Sequence, residues 1–133
     1  GINSAYLGIK NRYSYNALVP EIPFFLHNGI QKFDYQEMRE IDRYMLPEGK
    51  FMQQPVFAPR ADSKDEDDGY LIAYVGDKKE TEVYIWDAKK VSEGPIARVQ
   101  LPQWVPFGSH AYWGRGSDIR EAQERNQRNK TAP

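Results

Sequence analysis

Between Phe51 and Leu101 the chain is divided into short apolar runs of strand length, separated by turn-forming residues. Residues 70–75 form a compact apolar run, and residues 81–86 alternate, with Val83 and Ile85 on one side and Tyr84 and Trp86 on the other. Residues 95–101 alternate again, Ile96, Arg98 and Gln100 against Ala97, Val99 and Leu101. A period of two puts successive side chains on opposite faces of a strand. Gly76-Asp77-Lys78-Lys79 marks a turn, and residues 87–94 form a connector long enough for one helical turn. Residues 51–58 precede these as a strand with Pro55 at an edge or bulge. The pattern excludes a helical bundle and leaves four antiparallel strands in about 50 residues, the size of one propeller blade.

The preceding residues repeat this organisation less regularly. Tyr13, Tyr15, Ala17 and Val19 alternate with polar neighbours. The apolar run 24–27 closes on Asn28-Gly29, a tight-turn dipeptide, and residues 30–35 alternate after it, which predicts a hairpin. Residues 36–45 fit a helix or a strand with a polar edge equally. Aromatic residues, 14% of the chain, suit a pleated surface. A free-standing β-sandwich and about two blades of a propeller satisfy this pattern equally. Two blades cannot close a ring, since propellers need about four or more. The start at Gly1 rather than Met reads as a piece of a longer polypeptide or a processed product, and the propeller reading implies the first.

Beyond Trp113 the chain changes character. Residues 114–133 are nearly all polar. Asp118 and Glu121 have capping-box spacing, but a helix without an apolar face has little to hold it, so a frayed or flexible tail is expected after a folded unit of residues 1–113.

The bulk composition narrows the partners. Eighteen basic and 19 acidic residues leave a net charge of −1, which gives no electrostatic basis for a nucleic-acid partner. No apolar run approaches the ~18 residues of a transmembrane segment. Cysteine is absent, which excludes disulfides, thiolate metal sites and cysteine nucleophiles.

Few residues can carry chemistry. His27, before Asn28-Gly29, reads as a partly exposed polar residue. His110 lies after Val105-Pro106-Phe107-Gly108-Ser109 and before Tyr112 and Trp113, and imidazole is a common transition-metal ligand. The acidic residues 62–68 lack calcium-loop spacing and read as a solvated turn. Glu80 and Glu82 share one strand face but follow two lysines in a turn, which favours a surface position. Ser109 beside His110 is not a triad, because neighbouring extended residues point apart.

Several motifs then fall in order. These are Arg12-Tyr13-Ser14-Tyr15, Pro55-Val56-Phe57-Ala58-Pro59-Arg60, Glu66-Asp67-Asp68-Gly69-Tyr70-Leu71, Trp86-Asp87-Ala88-Lys89-Lys90-Val91 and Gly94-Pro95-Ile96-Ala97-Arg98-Val99. Leu101-Pro102 and the segment from Val105 to His110 complete them. Together they resemble the C-terminal part of the carotenoid oxygenase family, which includes carotenoid and lignostilbene cleavage dioxygenases. The resemblance runs from about Asn11 to Trp113.

The resemblance implies an all-β fold, the last blades of a seven-bladed propeller. It implies one Fe(II) on the axis held by four histidines, of which His110 is the last and the other three lie upstream of Gly1. It implies O₂-dependent cleavage of a carbon–carbon double bond in a conjugated, apolar small molecule such as a carotenoid, apocarotenoid or stilbene. Phe107 is a candidate for the substrate tunnel lining. Where the family carries a carboxylate that accepts a hydrogen bond from a ligand imidazole, this chain has Gln54, or Gln53 if the register slips by one. An amide lacks the negative charge and would make a weaker support. The remainder of the same polypeptide is thus the expected partner, the 133-residue piece alone is expected to be inactive, and a cytoplasmic location is expected. The alternative is an orphan β-module without enzymatic activity that keeps the blade packing for binding.

Overall fold

The structure, a computed structural model, describes residues 1–21, 26–108 and 110–131. Among the described residues, eight strands form two antiparallel sheets, followed by one α-helix. The first sheet has the order β1 (Tyr13–Leu18), β2 (Gly29–Asp34), β3 (Arg39–Met45). The second contains β4 (Phe51–Met52), β5 (Val56–Pro59), β6 (Gly69–Gly76), β7 (Thr81–Asp87) and β8 (Pro95–Gln100). Strands β4 and β5 pair with opposite ends of the same edge of β6, at residues 75–76 and 69–72. The second sheet is therefore four strands wide. The expected single strand over residues 51–58 is split because Pro55 has no N–H to donate to a ladder.

The core lies between the sheets. In β6, Leu71, Ala73 and Val75 are buried, and across the register Trp86 and Tyr84 of β7 continue the same face. Tyr15, Ile30 and Tyr44 face them from the first sheet. Aromatic contacts join the layers: Tyr15 stacks on Phe57 with centroids 5.7 Å apart, and Tyr44 meets Trp86 edge-on at 5.8 Å. Tyr15 also donates from its hydroxyl to the Ala88 carbonyl at 3.1 Å, and burial pushes its phenol well above the ordinary range.

The hairpin expected around Asn28-Gly29 is not formed. Phe24 and Phe25 lie outside the described residues, and Gly29 opens β2, paired with Leu18 on one side and Met45 on the other. A Cβ there would stand 2.6 Å from the Tyr44 carbonyl oxygen, so the glycine permits close strand approach rather than a turn. The real hairpin joins β2 to β3. Asp34 Oδ1 accepts from the N–H groups of Gln36 (2.8 Å) and Glu37 (3.2 Å), and Met38 takes a left-handed conformation (φ 53°). The segment 36–45 thus resolves into a turn and the edge strand β3. The less regular first unit has three strands among the described residues, not four.

The acidic loop before β6 is not simply a solvated turn. Both Glu66 oxygens accept from the backbone N–H of Arg12 at 2.9 Å, and Oε1 also accepts from that of Tyr13 at 2.8 Å. Asp67 pairs with the buried Lys32 at 2.8 Å. Lys32 Nζ also lies 4.5 Å from the centroid of the Tyr13 ring. The loop carries these carboxylates because the start of β1 leaves N–H donors, and a buried ammonium needs a counter-charge.

Residues 116–131 form helix α1 (Gly116–Thr131), where a frayed or flexible tail was expected. Its described side chains are mostly exposed, so tertiary burial does not explain it. Local terms favour it instead. Asp118 sits in the first turn and Arg128 and Lys130 in the last, each complementing the helix dipole. Glu124 and Arg128 stand one turn apart at 4.0 Å. The helix starts before Asp118, so that residue is not its N-cap. Among the described residues no helix is long and apolar enough to cross a membrane.

Candidate metal centre

The segment that follows β8 carries His110. Pro102 and Pro106 cannot donate to a ladder, and residues 101–108 belong to no strand. Polar ties route the segment across one end of the second sheet instead. Leu101 N–H donates to the Thr81 carbonyl at 3.0 Å, and Trp104 Nε1 donates to the Asp77 carbonyl at 3.1 Å. The Thr81 hydroxyl accepts from Val105 N–H (3.0 Å) and donates to the Val105 carbonyl (3.3 Å). Gln53 Nε2 donates to the Pro106 carbonyl at 3.1 Å. The path leads from the β8 edge to the gap between β4 and β5, where Gln53 and Gln54 sit.

At that gap His110 Nδ1 lies 3.1 Å from Gln54 Oε1. With the amide oxygen toward the ring, as it stands here, Gln54 accepts and Nδ1 is the donor of this contact. Nε2 then keeps its lone pair. An imidazole held in this way by a partner at its other nitrogen has the tautomer and fixed orientation of a metal ligand. A single imidazole with Nε2 unengaged can offer one ligand to a divalent transition metal. His110 is exposed on the chain, and among the described residues no group of three or more His, Asp or Glu side chains converges.

The two glutamines divide their roles. Gln54 faces the His110 ring, while Gln53, 7% exposed, turns to the backbone at Pro106. Gly108 passes over Gln53, and a Cβ there would stand at an ordinary 3.6 Å from Oε1, so the glycine is not sterically required. Ser109 lies outside the described residues.

Phe107 is not brought together with this pair. It lines an apolar cavity of about 650 Å³ with Leu26, Phe51 and Trp104, next to Lys78 and Lys79. Gln54 borders a different cavity of about 410 Å³ with Phe57, Ala111, Tyr112 and Trp113. His27 bridges to β4, its carbonyl accepting from Met52 N–H at 2.8 Å, and has no side-chain contact with His110 or Gln54 among those described. Glu80 and Glu82 surround Lys50 with Asp77, at 2.7, 3.5 and 3.5 Å, and hold its ammonium above the ordinary range. Those carboxylates are engaged in a salt-bridge cluster.

Sequence reasoning missed Thr81 and Gln53 as the residues that route the segment. Thr81 reads as an ordinary first residue of a strand, and nothing local ties it to Val105, 24 residues away.

Residues 1–115 match the family described as RPE65, retinal pigment epithelial membrane protein. The chain belongs to that family, the carotenoid oxygenases. Within it, the chain is 35% identical to carotenoid 9,10(9',10')-cleavage dioxygenase 1 of Pisum sativum, over 90% of this chain and 25% of the pea protein. It is 39% identical to carotenoid dioxygenase carX of Gibberella fujikuroi over 63% of this chain and 14% of that protein. The chain thus spans about a quarter or less of the length of these curated relatives. Among solved structures, the lignostilbene dioxygenase of Pseudomonas brassicacearum superposes with a TM-score of 0.77 at 22% identity, covering 86% of this chain and 26% of that one. A Synechocystis apocarotenoid oxygenase variant gives a TM-score of 0.76 at 24% identity, over 86% and 24%. These likenesses establish that the carotenoid oxygenases share the fold of this chain.

Proposed function

We propose that this chain is the C-terminal part of an Fe(II)-dependent dioxygenase that cleaves a carbon–carbon double bond in a conjugated, apolar substrate, and that His110 is one of its iron ligands. In this reading the two sheets are the last blades of a seven-bladed propeller, and the rest of the polypeptide supplies the other three histidines. The observation that carries the reading is the 3.1 Å contact between His110 Nδ1 and Gln54 Oε1, which leaves Nε2 as the free donor. Family membership supports the reaction class, since the pea relative is named a carotenoid cleavage dioxygenase and the Gibberella relative a carotenoid dioxygenase.

Bound iron would supply the O₂ chemistry, which no side chain of this chain can perform. The chain's own contribution is to hold and orient. Gln54 fixes the His110 ring by accepting its Nδ1 proton, so the ring meets a metal in one rotation only. Tyr112 and Trp113, which border the cavity beside Gln54 and stand exposed on this chain, offer apolar contact to a polyene or stilbene. Phe107 contributes to the tunnel lining if its cavity joins the substrate path in the full protein. The isolated chain, with one imidazole in a ligand position, would hold iron too weakly to act.

The test uses the full-length protein, purified without added metal. Stoichiometric iron, and cleavage of a carotenoid or stilbene to two carbonyl products, is the expected result. A metal-free protein that neither takes up iron nor cleaves any such alkene would refute the reading and leave the orphan binding module in its place.

A further inference from the structure

We propose that Gln53 and Thr81 are positioning residues for His110, setting where its ring stands by holding the backbone of the segment that carries it. The inference rests on the reading of His110 as a metal ligand. Residues 102–108 have no strand partner, and two of them are prolines. The position of His110 therefore depends on side chains that tie the segment to the sheet.

Two of those ties are made by buried groups. Thr81 is 2% exposed and begins β7, one of the two interior strands of its sheet. Its hydroxyl uses a lone pair and its proton on the same residue, Val105, which ties the two peptide units on either side of that residue to β7. Gln53 is anchored in turn, because its backbone N–H donates to the Tyr74 carbonyl of β6 at 3.0 Å. Its side chain then takes the Pro106 carbonyl. Gln53 and Gln54 are consecutive on an extended backbone, so their side chains diverge. One grips the segment at Pro106 and the other grips the ring at His110. This two-point hold converts the rigidity of β6 and β7 into a fixed imidazole, as a ligand needs.

The test is a Co(II) titration of the metal-free full-length protein, read by the visible absorption of the bound ion. Thr81→Val and Gln53→Met keep side-chain volume and remove the ties. Each is expected to weaken Co(II) affinity about ten-fold and to shift the absorption band, the scale of effect seen when supports of a metal ligand are lost. Thr81→Ser keeps the hydroxyl and is expected to bind as the parent does. Gly108→Ala, with its ordinary contact distance, is expected to do the same. Thermal melting of the metal-free variants checks that they fold. Folded Thr81→Val and Gln53→Met proteins with the parent's affinity and band would overturn the proposal. Should Thr81→Val fail to fold, Gln53→Met against the Gly108→Ala control decides alone. His110→Ala separates the two levels of inference. If it loses the parent's affinity and band while the positioning variants keep them, only the positioning role fails. If it keeps them as well, the ligand reading fails.

Discussion

Replacing Gln54 by glutamate tests the metal centre from its weakest point. The amide oxygen of Gln54 accepts from His110 at 3.1 Å without a charge. A carboxylate at the same distance would accept a charge-assisted bond. Neutral hydrogen bonds contribute about 1 kcal/mol net and charged ones about 1.5–3 kcal/mol, so the exchange strengthens the hold by roughly 0.5–2 kcal/mol. His110 and Gln54 are not deeply buried on this chain, and water between them reduces the gain. A net of about 1 kcal/mol is the working figure, which corresponds to about a five-fold tighter metal. A carboxylate can also only accept, whereas an amide can turn its NH₂ toward the ring. Glutamate therefore forbids the tautomer in which Nε2 carries the proton.

The assay is an Fe(II) titration of the full-length Gln54→Glu protein under anaerobic conditions, compared with the parent at pH 8 and pH 6. The pH matters because a carboxylate also favours the imidazolium, whose Nε2 proton competes with the metal. The gain is expected to be full at pH 8 and smaller at pH 6. Equal or weaker binding at pH 8 would refute the reasoning, since it would mean that the Gln54 contact does not support a metal-bound ring.

Four further outcomes follow from the same coordinates, each measured in the full-length protein. His110→Ala is expected to abolish alkene cleavage while leaving the melting temperature within a few degrees of the parent, as measured by product assay and calorimetry. Asp67→Asn leaves the ammonium of Lys32 buried without its counter-charge, and chemical denaturation is expected to show a loss of about 3 kcal/mol, the low end for a broken buried pair because Asp67 keeps some solvent contact. Asp34 is held down to about 2 by the Arg12 guanidinium first, and also by the N–H groups of Glu37 and Gln36, against an ordinary 3.8. Its contribution is therefore full above about pH 4 and is lost as the pH falls through about 2, and a thermal-melt series is expected to show a shallower acid limb for Asp34→Asn. Gly29→Ala forces a Cβ to within 2.6 Å of a backbone oxygen across the strand pair, so the melting temperature is expected to fall, whereas Gly49→Ala meets no neighbouring atom but has φ 79° and is expected to cost only the smaller left-handed penalty.

The second sheet was legible because its strands are defined by local pattern. Period-two alternation in residues 81–86 and 95–101, and turn residues between them, place β7 and β8 without any tertiary knowledge. The first sheet was less legible because its decisive signals are not local. Asn28-Gly29 has the chemistry of a tight turn, yet Gly29 is needed between β1 and β3, where the Tyr44 carbonyl leaves no room for a Cβ. The turn that does form, after Asp34, contains neither glycine nor proline and depends on a carboxylate that Arg12 orients from 22 residues away. The polar C-terminal segment differs again: it has no apolar face to signal a helix, and the charges at its two ends suit a helix dipole.

The candidate site shows the same division in sharper form. Motif order located His110 and Gln54, and the structure puts their side chains in contact across 56 residues of sequence. What pattern could not supply was the route between them. A chain with two prolines and no ladder must reach the gap between β4 and β5 by side-chain ties, and those ties come from Thr81, Gln53 and the Asp77 carbonyl, each unremarkable in its own neighbourhood. A hydrogen bond of this kind has no sequence period, because it links a strand terminus to a loop distant in sequence. Its physical trace is burial of a polar group that must be satisfied: a threonine 2% exposed and a glutamine 7% exposed at the end of a sheet require partners, and the backbone that meets them is the segment leading to His110.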